Sequence, residues 1–146
     1  MTTLLIVEDH TETADVMVDY VRTFFPAWDI SREITGKGAI EKIIADPPDV
    51  VILDIALADA IDGLEVVRRV AAADKKTRFI LVTALGNRAF RGPKPGRPWL
   101  DQLHDNEKAL VAHFFEKSYN WKTFLKAIAE AAGGPVPPEI EKLAEF

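Results

Sequence analysis

The sequence contains no cysteine. That excludes disulfides, thiolate metal sites and cysteine nucleophiles. It has no apolar run approaching the ~20 residues that span a bilayer. Its first ten residues, MTTLLIVEDH, offer neither a basic n-region nor a long apolar core, so they do not read as a signal peptide. There is no excess of basic charge either. Eighteen Lys and Arg stand against 23 Asp and Glu, a net charge of −5. General binding to nucleic acid or to anionic membrane is therefore not expected. The three histidines, His10, His104 and His113, lack metal-ligand spacing. What remains is a 146-residue chain, 48% apolar and 28% charged. This is the balance of one ordinary globular domain, expected in the cytoplasm and long enough to bury its own core.

Three short apolar runs, Leu4 to Val7, Val50 to Leu53 and Phe79 to Val82, are nearly continuous rather than alternating. Such runs read as strands buried on both faces of a parallel sheet. Weaker strands are expected near Trp28 to Ile34 and Val111 to Phe115. Between them the period becomes helical. Ala14, Met17, Val18, Val21, Phe24 and Phe25 make one stripe that Pro26 stops. Ala39, Ile40, Ile43 and Ile44 mark a second helix. Val66, Val67, Val70 and Ala71 mark a third, with Asp62 as its N-cap. Trp121, Phe124, Leu125, Ile128 and Ala129 mark the last, closed by Gly133 and Gly134. Strands alternating with helices predict an open α/β sheet covered on both faces.

One crossover breaks the pattern. Residues 86 to 98, GNRAFRGPKPGRP, hold three prolines and three glycines and cannot form a helix. Only Trp99 to about Lys108 is left for a fourth helix, which must be short. The cations Arg88, Arg91, Lys94 and Arg97 lie in this loop without nearby acids; they read as a solvated loop or as a docking site for an acidic partner or nucleic acid. The domain is expected over 1–132. A Pro/Gly hinge and short helical tail follow over 133–146, with Ile140, Leu143, Ala144 and Phe146 on the tail's apolar side. That stripe either packs on its own domain or serves self-association, and the second is favoured here because an exposed apolar stripe should find a surface.

Ligands of open parallel sheets bind beyond the carboxyl ends of the strands. There this sequence places Glu8 and Asp9 after the first strand, Asp54 at the end of the third, Thr83 at the end of the fourth and Lys117 at the end of the fifth. Clustered carboxylates repel one another and need a compensating cation. Lys117 supplies one charge, and a hard divalent ion with oxygen ligands and several waters, Mg²⁺, suits the rest. A carboxylate beside such an ion can act as a nucleophile toward phosphorus.

The ordered set LLIVED, VVILDI, IDGLEVV, FILVTA and FFEK resembles the receiver domain of two-component response regulators, over about residues 3 to 132 with a break at 86 to 106. The resemblance implies a flavodoxin-like (βα)5 sheet of strand order 2-1-3-4-5, here with a remodelled fourth helix region. It implies Asp54 as phosphoacceptor. Mg²⁺ would be held by Asp9, by Asp54, by Glu8 through water and by the Ala56 backbone carbonyl. Thr83 and Lys117 would bind the phosphoryl group. Phe114 matches the aromatic switch position, although its local pattern also reads as core. The implied partners are a sensor histidine kinase or phosphotransfer protein and a downstream protein target. Homodimerisation through the strand-five face or the tail is a further route, and neither nucleic acid nor membrane is expected.

Four features depart from the family pattern. Ser118 follows Lys117 where a proline in a cis peptide is usual, and a cis non-proline bond costs ~3–4 kcal/mol, so a trans bond or altered loop is expected. The loop IALADAID after Asp54 is one residue longer and lacks the common Met-Pro. The fourth helix is displaced or shortened. Leu85, two residues after Thr83, is apolar and is placed to hinder the water that hydrolyses an acyl phosphate.

Other functions fit less well. A phosphatase with an aspartyl-phosphate intermediate carries a second Asp two residues after the nucleophile, where this chain has Ala56. The protein is thus expected not to be an enzyme beyond slow self-catalysed phosphorylation and dephosphorylation. A flavin or nucleotide binder needs a glycine-rich loop after strand one, whereas EDHTET is acidic and glycine-free. The sequence thus predicts a single-domain response regulator. The alternative is a degenerate receiver acting as a phosphorylation-independent interaction or dimerisation module.

Overall fold

A computed structural model describes residues 1–57, 59–83, 100–117 and 119–144. The strands are β1 (Thr3–Val7), β2 (Asp29–Glu33), β3 (Val50–Asp54), β4 (Arg78–Thr83) and β5 (Val111–Glu116). The helices are α1 (Thr11–Phe24), α2 (Gly36–Ala45), α3 (Gly63–Ala72), α4 (Asp105–Lys108), α5 (Trp121–Ala131) and α6 (Pro138–Glu141). All strand pairings are parallel, in the order β2-β1-β3-β4-β5. This is the flavodoxin-like order expected from the sequence.

The continuous apolar runs sit where two-sided burial demands them. Every residue of β3 is buried, and β4 is buried from Phe79 onward. Alternate residues feed two cores. On one face Leu4, Ile6, Ile52, Ile80 and Val82 pack with α1 and α5. On the other Leu5, Val7, Val51, Leu53, Phe79 and Leu81 pack with α2 and α3. β2 lies at one edge and is largely exposed, which explains its weak sequence signal.

Helix ends follow local chemistry. Asp62 Oδ1 accepts from the Glu65 amide at 2.9 Å, the N-cap read from the sequence. α5 closes on Gly133 at φ +74, with Gly133 N–H donating to Glu130 and Gly134 N–H to Ala129. That pair of bonds is a Schellman ending, in which the left-handed residue favours glycine. Of the expected fourth crossover helix, the described part holds a 3₁₀ turn at Leu100–Gln102 and the four-residue α4.

The tail takes the first of its two expected courses. Ile140 is fully buried in the α1/α5 core, Leu143 packs beside it, and Lys126 pairs with Glu141 at 3.0 Å. This corrects the preference for self-association through that stripe, because at Ile140 the chain's own helices already cover it. Leu85, the loop cations Arg88, Arg91, Lys94 and Arg97, Ser118 with its peptide bond, and Phe146 lie outside the described residues.

Candidate functional site

β1 and β3 are direct neighbours, with Val7 opposite Leu53. Their carboxyl ends therefore deliver Glu8 and Asp54 to the same rim. Carboxylate oxygens of Glu8, Asp9 and Asp54 all lie within 4.8 Å of one another. β5 brings Lys117 to the group from the other side. Its ammonium donates to Asp54 Oδ2 at 3.0 Å and makes a close ion pair with Glu8. The Glu8 side chain is 1% exposed and that of Asp54 7%, so these are interior charges held by a lysine that is itself 22% exposed.

The electrostatics follow from this burial. The Glu8 carboxyl is raised above its ordinary value by desolvation and by the hydrogen bond to Asp54, against the opposing pull of Lys117. Asp9 is raised by burial and by Glu8. For Lys117, burial alone would lower the ammonium, but Glu8 and Asp54 together outweigh it and hold it above its usual value. Among the described residues, three carboxylates against one ammonium leave the rim short of positive charge. An oxygen-only donor set with exposed Asp9 open to solvent fits a hard divalent cation that keeps part of its water shell.

The remaining expected residues stand around this group. Ala56 donates its amide to Asp54 Oδ1 at 3.1 Å, so each Asp54 oxygen has a partner. Thr83 ends β4, one residue beyond Val82, the register partner of Asp54, and is buried. Its carbonyl accepts from Lys117 N–H at 2.7 Å, which ties the ends of β4 and β5 together. Phe114 is partly buried against the α2/α3 core. It lines a cleft of about 270 Å³ with Leu100, Lys108, Val111, Ala112 and His113.

Three neighbours of the site were not anticipated. His10 caps α1, accepting from the Thr13 amide through its side chain, rather than being a plain loop residue. Tyr119 stacks on Phe124 with ring centroids 4.1 Å apart, and burial, with the Glu8 charge adding, drives its phenol far above the ordinary value. Asp59, in the loop after Asp54, accepts from the amides of Gly36 and Lys37 at 3.0 and 3.1 Å. Only the His10 cap had a local signal, a polar residue just ahead of an apolar helical stripe.

The fold and rim together define a flavodoxin-like α/β protein with a carboxylate site at the carboxyl edge of its sheet. The response regulator receiver domain matches residues 4–92, more than half of the sequence, and the chain belongs to that family. Transcriptional regulatory protein TrcR of Mycobacterium tuberculosis is 35% identical over 81 residues, which make up 56% of this chain and 30% of that protein. The match thus spans under a third of TrcR. Among solved structures, a DNA-binding response regulator of the LuxR family from Staphylococcus aureus superposes with a TM-score of 0.71 at 23% identity, over 90% of this chain and 99% of that one. The receiver domain of sensor histidine kinase PA1611 from Pseudomonas aeruginosa, solved with magnesium coordinated in its active site cleft, gives 0.69 at 17% identity over 91% and 98%. These structural likenesses carry the fold. The family match ends at residue 92, so the placement of Lys117 rests on the β5 geometry itself.

Proposed function

We propose that this receiver domain is phosphorylated on Asp54 in a Mg²⁺-dependent reaction and that the new charge resets a protein-interaction surface. One observation carries the reading. Lys117 bridges Glu8 and Asp54, residues 109 and 63 positions away, at the one rim where a phosphoryl group would meet a carboxylate nucleophile and a cation together. The donor is a phosphohistidine on a sensor kinase or phosphotransfer protein, or a small acyl phosphate.

In the transfer, an Asp54 carboxylate oxygen forms the new O–P bond while the donor's P–N bond breaks, or the bridging P–O bond in an acyl phosphate. The electron pair stays on the donor's imidazole nitrogen or carboxylate oxygen. Lys117 stays beside Asp54 and neutralises charge on a phosphoryl oxygen, and the Thr83 hydroxyl donates to another. Glu8, Asp9, Asp54 and the Ala56 carbonyl would hold Mg²⁺, which when bound supplies the remaining positive charge against the phosphoryl oxygens. Thr83 then leaves space on the β5 side that Phe114 can occupy, and the cleft beside Phe114 changes shape for a downstream protein.

Incubation with acetyl phosphate and Mg²⁺, followed by intact mass, tests the reading. One added phosphate is expected in the wild type and none in Asp54→Asn or in EDTA. No added phosphate in the wild type, with no Mg²⁺-dependent rise in melting temperature, would establish the phosphorylation-independent module instead.

A further inference from the structure

The loop between β3 and α3 carries Ala56, whose amide orients Asp54. It lacks the proline that usually stiffens this segment, and three contacts hold it instead. At its base, Gly63 N–H donates to Ile55 at 2.8 Å, and Gly63 lies so close to β3 that a Cβ there would meet the Asp54 carbonyl oxygen at 2.8 Å. At its tip, Asp59 reaches across to α2, with Oδ1 accepting from Gly36 N–H at 3.0 Å and Oδ2 from Lys37 N–H at 3.1 Å. Beside that clamp, Gly36 faces Ile61 so closely that a Cβ would stand 2.5 Å from the Ile61 carbonyl oxygen.

The donors at the start of α2 are then fully accounted for. Gly36 and Lys37 go to Asp59, Gly38 goes to the Thr35 side chain at 3.0 Å, and Ala39 goes to the Thr35 carbonyl. The Gly36 amide is the largest cause that holds the Asp59 carboxyl below its ordinary value; burial opposes it, and the amides of Lys37, Asp59 and Ile61 add to it. An Asp placed elsewhere in the loop would leave α2 two donors short and the loop tip without an anchor.

We infer that Asp59 is a positioning residue for the phosphoryl-acceptor site: by clamping the loop to α2 it sets Ala56, and through Ala56 the orientation of the Asp54 carboxylate. The inference rests on the proposed function only for its consequence, weaker Mg²⁺ binding and slower phosphorylation when the clamp opens. The coupling itself belongs to the metal-free protein.

The test opens the clamp from both sides. Asp59→Ala removes the acceptor. Gly36→Ala leaves Asp59 in place and pushes Ile61 away with a methyl group. Asp59→Asn keeps one acceptor oxygen and should fall between Asp59→Ala and the wild type. In ¹⁵N NMR of the metal-free proteins, the Ala56 and Asp54 amide resonances are expected to shift in both alanine variants, and Ala56 to exchange faster with solvent. In calorimetric titration, Mg²⁺ affinity is expected to fall by up to about tenfold, the low end of what loss of a group bonded directly to a metal ligand costs, since Asp59 acts one step further out. If only Gly36 and Lys37 shift while Ala56 and Asp54 keep wild-type resonances, the clamp does not act on the site. A wild type that binds no Mg²⁺ contradicts the proposed function and leaves the NMR result to decide the clamp alone.

Discussion

Lys117 decides the electrostatics of the rim. It neutralises one of three carboxylates, two of them almost without solvent. Removing it leaves Glu8 and Asp54 facing each other with no cation between them among the described residues. In EDTA, Lys117→Ala is expected to lose about 1–3 kcal/mol of stability. That is less than a fully buried pair would lose, because the lysine is partly exposed and the carboxylates can take up protons. Mg²⁺ should restore more stability to this variant than to the wild type, and urea midpoints with and without the ion measure the difference.

The same charges set a pH dependence. Glu8 and Asp9 are raised from ordinary values of 4.5 and 3.8. A carboxyl with a raised folded-state pKa contributes stability that is complete below its unfolded value and is lost as pH rises through the folded one. The metal-free protein is therefore expected to melt at progressively lower temperature as pH climbs above about 4–5. Saturating Mg²⁺ should abolish that fall, since the bound ion needs both groups deprotonated. Melting temperatures that do not change with pH in EDTA would contradict the description of the rim as starved of positive charge.

At the scale of elements, β1, β3 and β4 were legible because burial on both faces leaves continuous Val, Ile and Leu runs, whereas β2 and β5 are more exposed and read weakly. Helices α1, α3 and α5 were legible because a single buried face leaves a period near 3.6. The convergence of Glu8, Asp54, Thr83 and Lys117 on one edge was legible for the same reason, since each ends a recognisable strand. The Asp59 clamp was not. Its partners lie 22 and 23 residues away on α2, and neither periodicity nor capping pattern records a contact between a loop and a distant helix end. Nor did the tail declare its course, because an apolar stripe reads alike whether its own core or a second copy covers it. Two substitutions test the element-level account. Gly133→Ala should cost about 1 kcal/mol, since φ is +74 there and open space surrounds the site, so backbone strain acts alone. Gly134→Ala, in equally open space without that φ, should be nearly neutral in the same urea titration.

For the whole molecule, one sheet with a core on each face joins the acidic rim to everything around it. α6 is part of that body. Ile140→Ala is expected to cost about 2–4 kcal/mol, the range for a large aliphatic side chain removed from a packed core, and to leave the sedimentation coefficient unchanged. A change in oligomeric state with little loss of stability would instead give the tail stripe a role between chains.

The proposed phosphoryl-acceptor site draws residues from four strand ends around Asp54. Borohydride reduction of the protein after incubation with acetyl phosphate, followed by peptide sequencing, tests it most directly, because reduction converts an aspartyl phosphate to homoserine in place. Conversion is expected at residue 54 in Mg²⁺, and none in EDTA or in Lys117→Ala at the same exposure. Conversion at another carboxylate, or none anywhere in Mg²⁺, would contradict it.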